Sequence, residues 1–248
     1  MEDANVAGKI VKAFKEWGCF RLVNHGVAPE LMAEMMEVAR ALTADLPMEM
    51  KMRTTDPLYP PREVLEKYTL RLHELTQFLG RKLMEGLGME GDLFKNYACL
   101  LKINKYSHGP ETVGLTSGNI HTDPGFITLL QDDDAVNGLE VMDKITGEFI
   151  PLDHIPGSLV INLGDAAEVW SNGRFYIPKH RVQCRVPTVR RSIGYFGLAP
   201  RDGKLETPPE MVDSDHPCRY APFDFEEYRE STRLGNGEVL QLFLSKSS

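Results

Sequence analysis

The amino-acid sequence predicts an α+β fold, a central all-β core flanked by helices, and three observations carry that expectation. Of its 248 residues, 42% are hydrophobic, enough for one substantial core, because chains of this length remove most of their unfolded surface from water. Residues 1–95 space much of their apolar content as helices do. After Tyr97 the pattern changes to short apolar runs punctuated by turn residues, which is the pattern of closely spaced strands.

Taken in order, Val6 to Trp17 predicts a first helix, and Cys19 to Val23 is a short strand candidate. Pro29, whose fixed φ suits a first helical turn, opens a second helix running through Met35 and Ala39 to about Asp45. Pro57, Pro60 and Pro61 interrupt the periodicity. Val64 to Leu87 resumes it, with Leu65, Leu72, Leu75, Leu79 and Leu83 as the buried stripe. Strands are then expected at Leu100–Tyr106, Phe126–Gln131, Leu139–Asp143, Glu148–Leu152, Leu159–Leu163, His180–Arg185 and Ser192–Leu198. Thr146-Gly147 and Pro156-Gly157 stand where hairpin turns are needed. So many short strands call for a sandwich or barrel, and Phe223 to Leu234 reads as a closing helix. Three regions follow: 1–95 mostly helical and packed on the core, 96–200 the β-core, and 201–248 a C-terminal extension with a helix.

A formal net charge of -8 and a pI near 5.4 repel phosphate backbones, so no nucleic-acid partner is expected. Met1 to Lys9 shows no basic region followed by an apolar stretch, and the longest apolar runs, such as Ser158–Leu163, are too short to span a bilayer. The expectation is a cytoplasmic monomer without a membrane partner. Cys19, Cys99, Cys184 and Cys218 form no C-x-x-C pair and read as free thiols, mostly in core packing.

His121 and Asp123 stand two residues apart beside strand-like sequence, where a period of two points both side chains to one side. His180 comes far along the chain, just before Arg181 to Arg185, and a β-core that folds back on itself can bring it opposite the first two. Two neutral imidazoles and a carboxylate on one face leave the opposite coordination positions open, which suits non-haem Fe(II). An H-x-D pair alone is weak, because such pairs occur by chance and a lone histidine is more often a hydrogen-bonded core residue.

The surrounding text adds to it. Glu16-Trp17-Gly18-Cys19-Phe20, Val23-Asn24-His25-Gly26-Val27, His121-Thr122-Asp123, Asn162-Leu163-Gly164-Asp165, Ser171-Asn172-Gly173 and His180-Arg181-Val182 follow one another. In that order they resemble the plant-type 2-oxoglutarate- and Fe(II)-dependent dioxygenases, from near the N-terminus to about Pro200. The resemblance implies a double-stranded β-helix (jelly roll) at 96–200 as the Fe(II)/2-oxoglutarate core, with His121, Asp123 and His180 as the catalytic iron ligands. It also implies a co-substrate anchor: Arg190 and Ser192 match the family's Arg-x-Ser, and Asn104 and Tyr106 match its Asn-x-Tyr. A guanidinium suits the far carboxylate of 2-oxoglutarate because it can donate bidentately. Arg191 should face away. The implied reaction consumes O2 and 2-oxoglutarate, releases succinate and CO2, oxidises a small-molecule substrate, and takes ascorbate as reductant.

Within the family, His121-Thr122-Asp123-Pro124-Gly125-Phe126, Gly138-Leu139-Glu140, Val169-Trp170-Ser171-Asn172-Gly173-Arg174 and Lys179-His180-Arg181-Val182-Gln183-Cys184 are most similar to the auxin-oxidising branch. That implies indole-3-acetic acid or its amino-acid conjugates as substrate and a 2-oxindole product. Branches acting on gibberellins, flavonoids or other specialised metabolites stay open as alternatives. Phe126, Phe196 and Trp170 are candidate ring neighbours, with core packing the plainer reading of each. Two departures from the family stand out: an Ile-Pro-x-Ile-Asp-Leu-like first strand is absent, and a long segment is missing between about Asp56 and Glu63. The latter usually helps to build the substrate pocket, so a truncated, catalytically impaired metal-binding form is a further alternative. An oxidase using iron and O2 without 2-oxoglutarate is disfavoured by Arg190 and Ser192.

Other features carry less. Gly86 to Gly91 spells G-x-G-x-x-G but follows a helical stretch and reads as a helix C-terminus. Met32, Met35, Met36, Met48, Met50 and Met52 read as packing. His25 reads as structural, His73, His108, His154 and His216 lack partner spacing, and Asp132-Asp133-Asp134 reads as a solvated turn.

Overall fold

In the computed structural model, which describes residues 6–44, 61–133, 136–233 and 239–245, helix α1 (Val6–Glu16) buries Ala7, Ile10, Val11 and Phe14 along one face. Helix α2 (Pro29–Leu42) starts on Pro29 and buries Met32, Met35, Met36, Val38 and Ala39. Helix α3 (Pro61–Leu87) buries Leu72, Leu75, Leu79 and Leu83, whereas Leu65 is half-buried. Pro61 therefore opens the third helix instead of interrupting it, since a first-turn residue has no intrahelical use for an N–H. At its other end Gly88 has φ +68°, and the Met89 N–H donates to Met84 O at 2.9 Å. This is a glycine-terminated helix end, as the sequence predicts. Asp45, Met48, Met50, Met52, Pro57, Pro60 and most of the Asp56–Glu63 segment lie outside the described residues, as do Asp134 and Leu234.

Two antiparallel sheets face each other as a jelly roll. The larger has the order β1-β7-β4-β9-β2, formed by β1 (Cys19–Leu22), β7 (Leu159–Leu163), β4 (Ile127–Gln131), β9 (Arg190–Pro200) and β2 (Tyr97–Tyr106). The smaller has the order β3-β8-β5-β6, formed by β3 (Thr116–His121), β8 (His180–Gln183), β5 (Leu139–Met142) and β6 (Phe149–Pro151). On β9 the alternation separates two environments. Arg190, Ser192, Phe196 and Leu198 line a cavity between the sheets. Ile193 and Tyr195 turn the other way into the buried core, where the Tyr195 hydroxyl bonds His73 Nδ1 on α3 at 2.9 Å. The helices thus cover one face of the larger sheet, and its other face is left for chemistry. After β7 comes the short helix α4 (Asp165–Trp170). The chain closes through β10 (Lys204–Leu205), β11 (Phe223–Asp224) and α5 (Phe225–Arg233).

Strand β3 was not foreseeable from alternation, because Thr-Ser-Gly-Asn-Ile-His has no apolar period. It is a strand because β8 pairs with it, with bulges on either side of the Gly118–Val182 pair. Helix α4 is too short to show helical periodicity. Cys19 and Cys184 are buried while Cys99 and Cys218 are exposed, all four as free thiols, so only half serve as packing. No helix among the described residues is long and apolar enough to cross a membrane.

Candidate active site

His121 ends β3 and His180 begins β8, and the two are direct partners across the ladder. Their ring centroids lie 4.3 Å apart. Asp123 follows the end of β3, and the three residues offer ligand atoms that all lie within 4.8 Å of one another. Asp123 Oδ1 is 3.9 Å from His121 Nε2 and 3.7 Å from His180 Nε2. Each imidazole is oriented through its other nitrogen: His121 Nδ1 donates to Asn119 O at 2.6 Å, and His180 Nδ1 to Pro178 O at 3.4 Å. A carbonyl can only accept, so the proton sits on Nδ1 and the Nε2 lone pair faces the cluster. Burial holds the His180 pKa below its ordinary value against the raising effect of Asp123, which favours the neutral ring that a metal needs.

Asp123 is positioned by strand residues. Its Oδ2 accepts from Thr128 Oγ1 at 2.6 Å and from Asn162 Nδ2 at 3.1 Å, leaving Oδ1 for the imidazoles. Thr128 and Asn162 are themselves opposite one another on β4 and β7. Behind them Gly164 admits no side chain, since a Cβ there would stand 2.3 Å from both Asp123 O and Gly125 O. Asn162→Ala is expected to keep the fold and lower divalent-metal affinity about 10- to 100-fold, the usual effect of losing an outer hydrogen bond to a ligand. Metal titration of the variant against the parent checks this.

Asp165 lies beneath the loop that carries Asp123. Its amide donates to Asp123 O at 2.8 Å, and its buried carboxylate accepts from Thr122 Oγ1 at 3.0 Å and from the Tyr228 hydroxyl on α5. Burial raises its pKa from 3.8 to about 6, against the lowering effect of these two hydrogen bonds. Between those values the folded metal-free chain holds a proton that the unfolded chain has lost. Raising the pH through that window therefore withdraws stability, by on the order of 2–3 kcal/mol. Asp165→Asn, which keeps an acceptor for both hydroxyls, should lose this dependence. Denaturant unfolding at pH 4.5 and 7 would show the variant gaining on the parent at the higher pH.

The cavity, of about 460 Å³, is lined by the trio together with Asn104, Tyr106, Arg190 and Ser192. Tyr106 and Asn104 on β2 sit directly opposite Arg190 and Ser192 on β9. Asn104 Nδ2 donates to Ser192 Oγ at 3.3 Å, and the Arg190 guanidinium lies over the Tyr106 ring at 5.3 Å. Arg190 is 1% exposed. Its Nη2 donates to Asp132 Oδ1 at 2.8 Å, but Nε and Nη1 are buried with no hydrogen-bond partner among the described residues. A buried guanidinium with unmatched donors on a cavity wall suits a carboxylate ligand. Arg191 faces away, its Nε donating to Thr43 Oγ1 at 2.8 Å.

One expectation is overturned here. Asp132 and Asp133 are 5% and 4% exposed and do not form a solvated turn: Asp132 is held by Arg21 and Arg190, and Asp133 accepts the Arg191 amide at 3.0 Å. A buried arginine demands an acidic partner, yet nothing in a linear sequence says which of 36 acidic residues will supply it. Sequence reasoning also missed Thr128 and Arg21, and it quoted Asn162 only within a motif. The rest of the cavity wall is largely apolar and includes Leu130, Leu139, Val141, Val160 and Phe196, with Lys102 also on it. Phe196 thus faces the cavity. Phe126 and Trp170 pack against each other at 5.6 Å, with Phe94 at 5.1 Å from Phe126, away from that wall.

Comparison with known proteins places this geometry among relatives. The profile of the 2OG-Fe(II) oxygenase superfamily matches residues 97–198, and that of the non-haem dioxygenase in morphine synthesis N-terminal region matches residues 1–83. The chain is 38% identical to the 2-oxoglutarate-dependent dioxygenase DAO of rice, covering 95% of this chain and 91% of the relative. That alignment spans 274 positions, more than this chain has residues, so the relative carries residues without a counterpart here. The crystal structure of the rice dioxygenase for auxin oxidation superposes with a TM-score of 0.88 at 37% identity, over 96% of this chain and 94% of that one. The dioxygenase for auxin oxidation 1 from Arabidopsis thaliana, in binary complex with 2-oxoglutarate, gives 0.82 at 40% identity, over 88% and 96%. JOX2 in complex with 2OG, Fe and JA gives 0.86 at 26% identity, over 98% and 87%.

Proposed function

The chain belongs to the 2OG-Fe(II) oxygenase superfamily and is a dioxygenase, and from that premise we propose that it oxidises an auxin-type acid, indole-3-acetic acid or a conjugate, to a 2-oxindole product. In this reading His121, Asp123 and His180 hold Fe(II), and Arg190, Ser192 and Tyr106 receive the far carboxylate of 2-oxoglutarate, with Asn104 lining the same pocket. The observation that carries it is the pairing, in one cavity, of a converging His-Asp-His trio with a buried arginine bearing two unmatched donors. Iron with 2-oxoglutarate supplies oxidising chemistry in which O2 is consumed, succinate and CO2 are released and an oxygen atom reaches the substrate.

The chain's own share is positioning. The trio would hold the metal through three converging ligand atoms, a set that suits Fe(II) with positions left for co-substrate and O2. The Arg190 guanidinium, which lines the same cavity as the trio, would hold the co-substrate by its far carboxylate and so restrict where its reacting end can lie. The apolar wall around Leu139, Val141 and Phe196 suits a flat ring and excludes water from the oxidant, and Lys102 supplies a cation for the acid group of such a substrate. The auxin assignment rests on the likeness to the rice and Arabidopsis proteins.

The test is mass spectrometry of products from a panel of plant acids incubated with the protein, Fe(II), 2-oxoglutarate and ascorbate. Succinate formed in step with a singly oxygenated indole acid is the expected result. Turnover of a gibberellin or flavonoid in preference would redirect the substrate assignment. A visible charge-transfer band on anaerobic addition of Fe(II) and 2-oxoglutarate, with no product from any acid, would instead favour a form that binds but does not turn over.

A further inference from the structure

Arg190 does not stand alone on its wall. Asp132 bridges two guanidiniums, taking Arg190 Nη2 on Oδ1 and Arg21 Nη2 on Oδ2, both at 2.8 Å. All three side chains are buried, at 9%, 6% and 1% exposure for Arg21, Asp132 and Arg190. Arg21 sits on β1, opposite Val160 of β7, and its other two nitrogens also donate: Nε to Asp153 O at 2.5 Å and Nη1 to Ser158 Oγ at 3.2 Å. The neighbouring Asp133 is engaged by the Arg191 amide. The hydrogen-bonded bridge itself holds two guanidiniums on one carboxylate, and its nitrogens without a hydrogen-bond partner among the described residues are both on Arg190.

We propose that Arg21 is a positioning residue for the co-substrate: acting through Asp132, it offsets the negative charge that Arg190 would otherwise face alone and leaves the unmatched Arg190 donors to a carboxylate in the cavity. This rests on the reading of Arg190 as the 2-oxoglutarate anchor. With Arg21 present, Asp132 divides its charge between two guanidiniums, and the incoming carboxylate meets an Arg190 that is not fully offset. Without it, the surroundings of Arg190 are one charge more negative, and burying the same carboxylate there costs more in a low-dielectric interior. Arg21 also occupies the second Asp132 oxygen, so Asp132 cannot take Arg190 in a two-pronged grip that would consume another of its donors. Arg21 does not line the cavity and has no part in binding metal.

The test is calorimetric titration of the Fe(II)-loaded full chain with 2-oxoglutarate under anaerobic conditions, comparing the parent, Arg21→Gln and Arg21→Lys. Arg21→Gln should weaken 2-oxoglutarate about tenfold, equivalent to about 1.4 kcal/mol. Fe(II) affinity measured separately should be unchanged, and in turnover the KM for 2-oxoglutarate should rise with kcat held. Arg21→Lys, which restores the charge and is the safer variant for folding, should recover most of the loss. Unchanged 2-oxoglutarate affinity in the glutamine variant, an equal loss of Fe(II) affinity, or no recovery with lysine would each overturn the role of Arg21. If the parent itself fails to bind 2-oxoglutarate, the co-substrate reading falls as well, which separates the two failures.

Discussion

Asp123→Ala is expected to abolish Fe(II) binding and turnover while leaving a folded protein. The carboxylate is 6% exposed and sits between two imidazoles and two strand donors. Its loss leaves the Thr128 hydroxyl and the Asn162 amide without their acceptor, at a cost of about 1–3 kcal/mol each at most, which a chain of this size can absorb. In the proposed trio Asp123 is the one carboxylate, and the two remaining imidazoles bring no charge to offset a dication. Anaerobic addition of Fe(II) and 2-oxoglutarate should give no charge-transfer band, and circular dichroism should match the parent. A retained band at the parent's iron concentration would remove Asp123 from the ligand set.

Arg190→Met should separate the co-substrate from the metal. In the proposed reading the guanidinium gives charge-assisted donors to the far carboxylate, each worth about 1.5–3 kcal/mol, so 2-oxoglutarate affinity should fall by about 100-fold or more. Iron affinity should stay within a few-fold, because Arg190 is not among the converging ligand atoms. Breaking a buried ion pair usually costs about 3–5 kcal/mol through the charge left behind. Here Asp132 still has Arg21 at 2.8 Å, which lowers that cost and keeps the variant measurable. Equal losses of iron and 2-oxoglutarate affinity would undo the assignment of Arg190 to the anchor.

What was legible in advance tracks how local the physical cause is. The leucine stripe of α3 and the glycine end at Gly88 depend on near neighbours in sequence, and both were readable. The alternation on β9 put Arg190 and Ser192 on one side and Arg191 on the other, as the structure shows. Illegible features depend on partners supplied by distant chain. β3 has no apolar period of its own and is a strand through pairing with β8. The two aspartates after Gln131 look like a polar turn until the arginines that face them are known. Pro61 reads as a breaker until it is seen at the first position of α3, where its chemistry fits. The jelly roll itself was legible only through the family resemblance, since strand spacing alone left sandwich and barrel both open.

The strand order of the larger sheet also dictates when the site can exist. Arg21 enters the sheet from its first strand, Asp132 follows the third in order of synthesis, and Arg190 opens the last, with β7 lying between β1 and β4. A growing chain on the ribosome cannot assemble the anchor, or pair His121 with His180, until β8 and β9 have emerged. Such long-range pairing also slows folding. Chain emerging before that point lacks His180 and Arg190, so neither the converging trio nor the Arg21–Asp132–Arg190 bridge can form until β8 and β9 are in place.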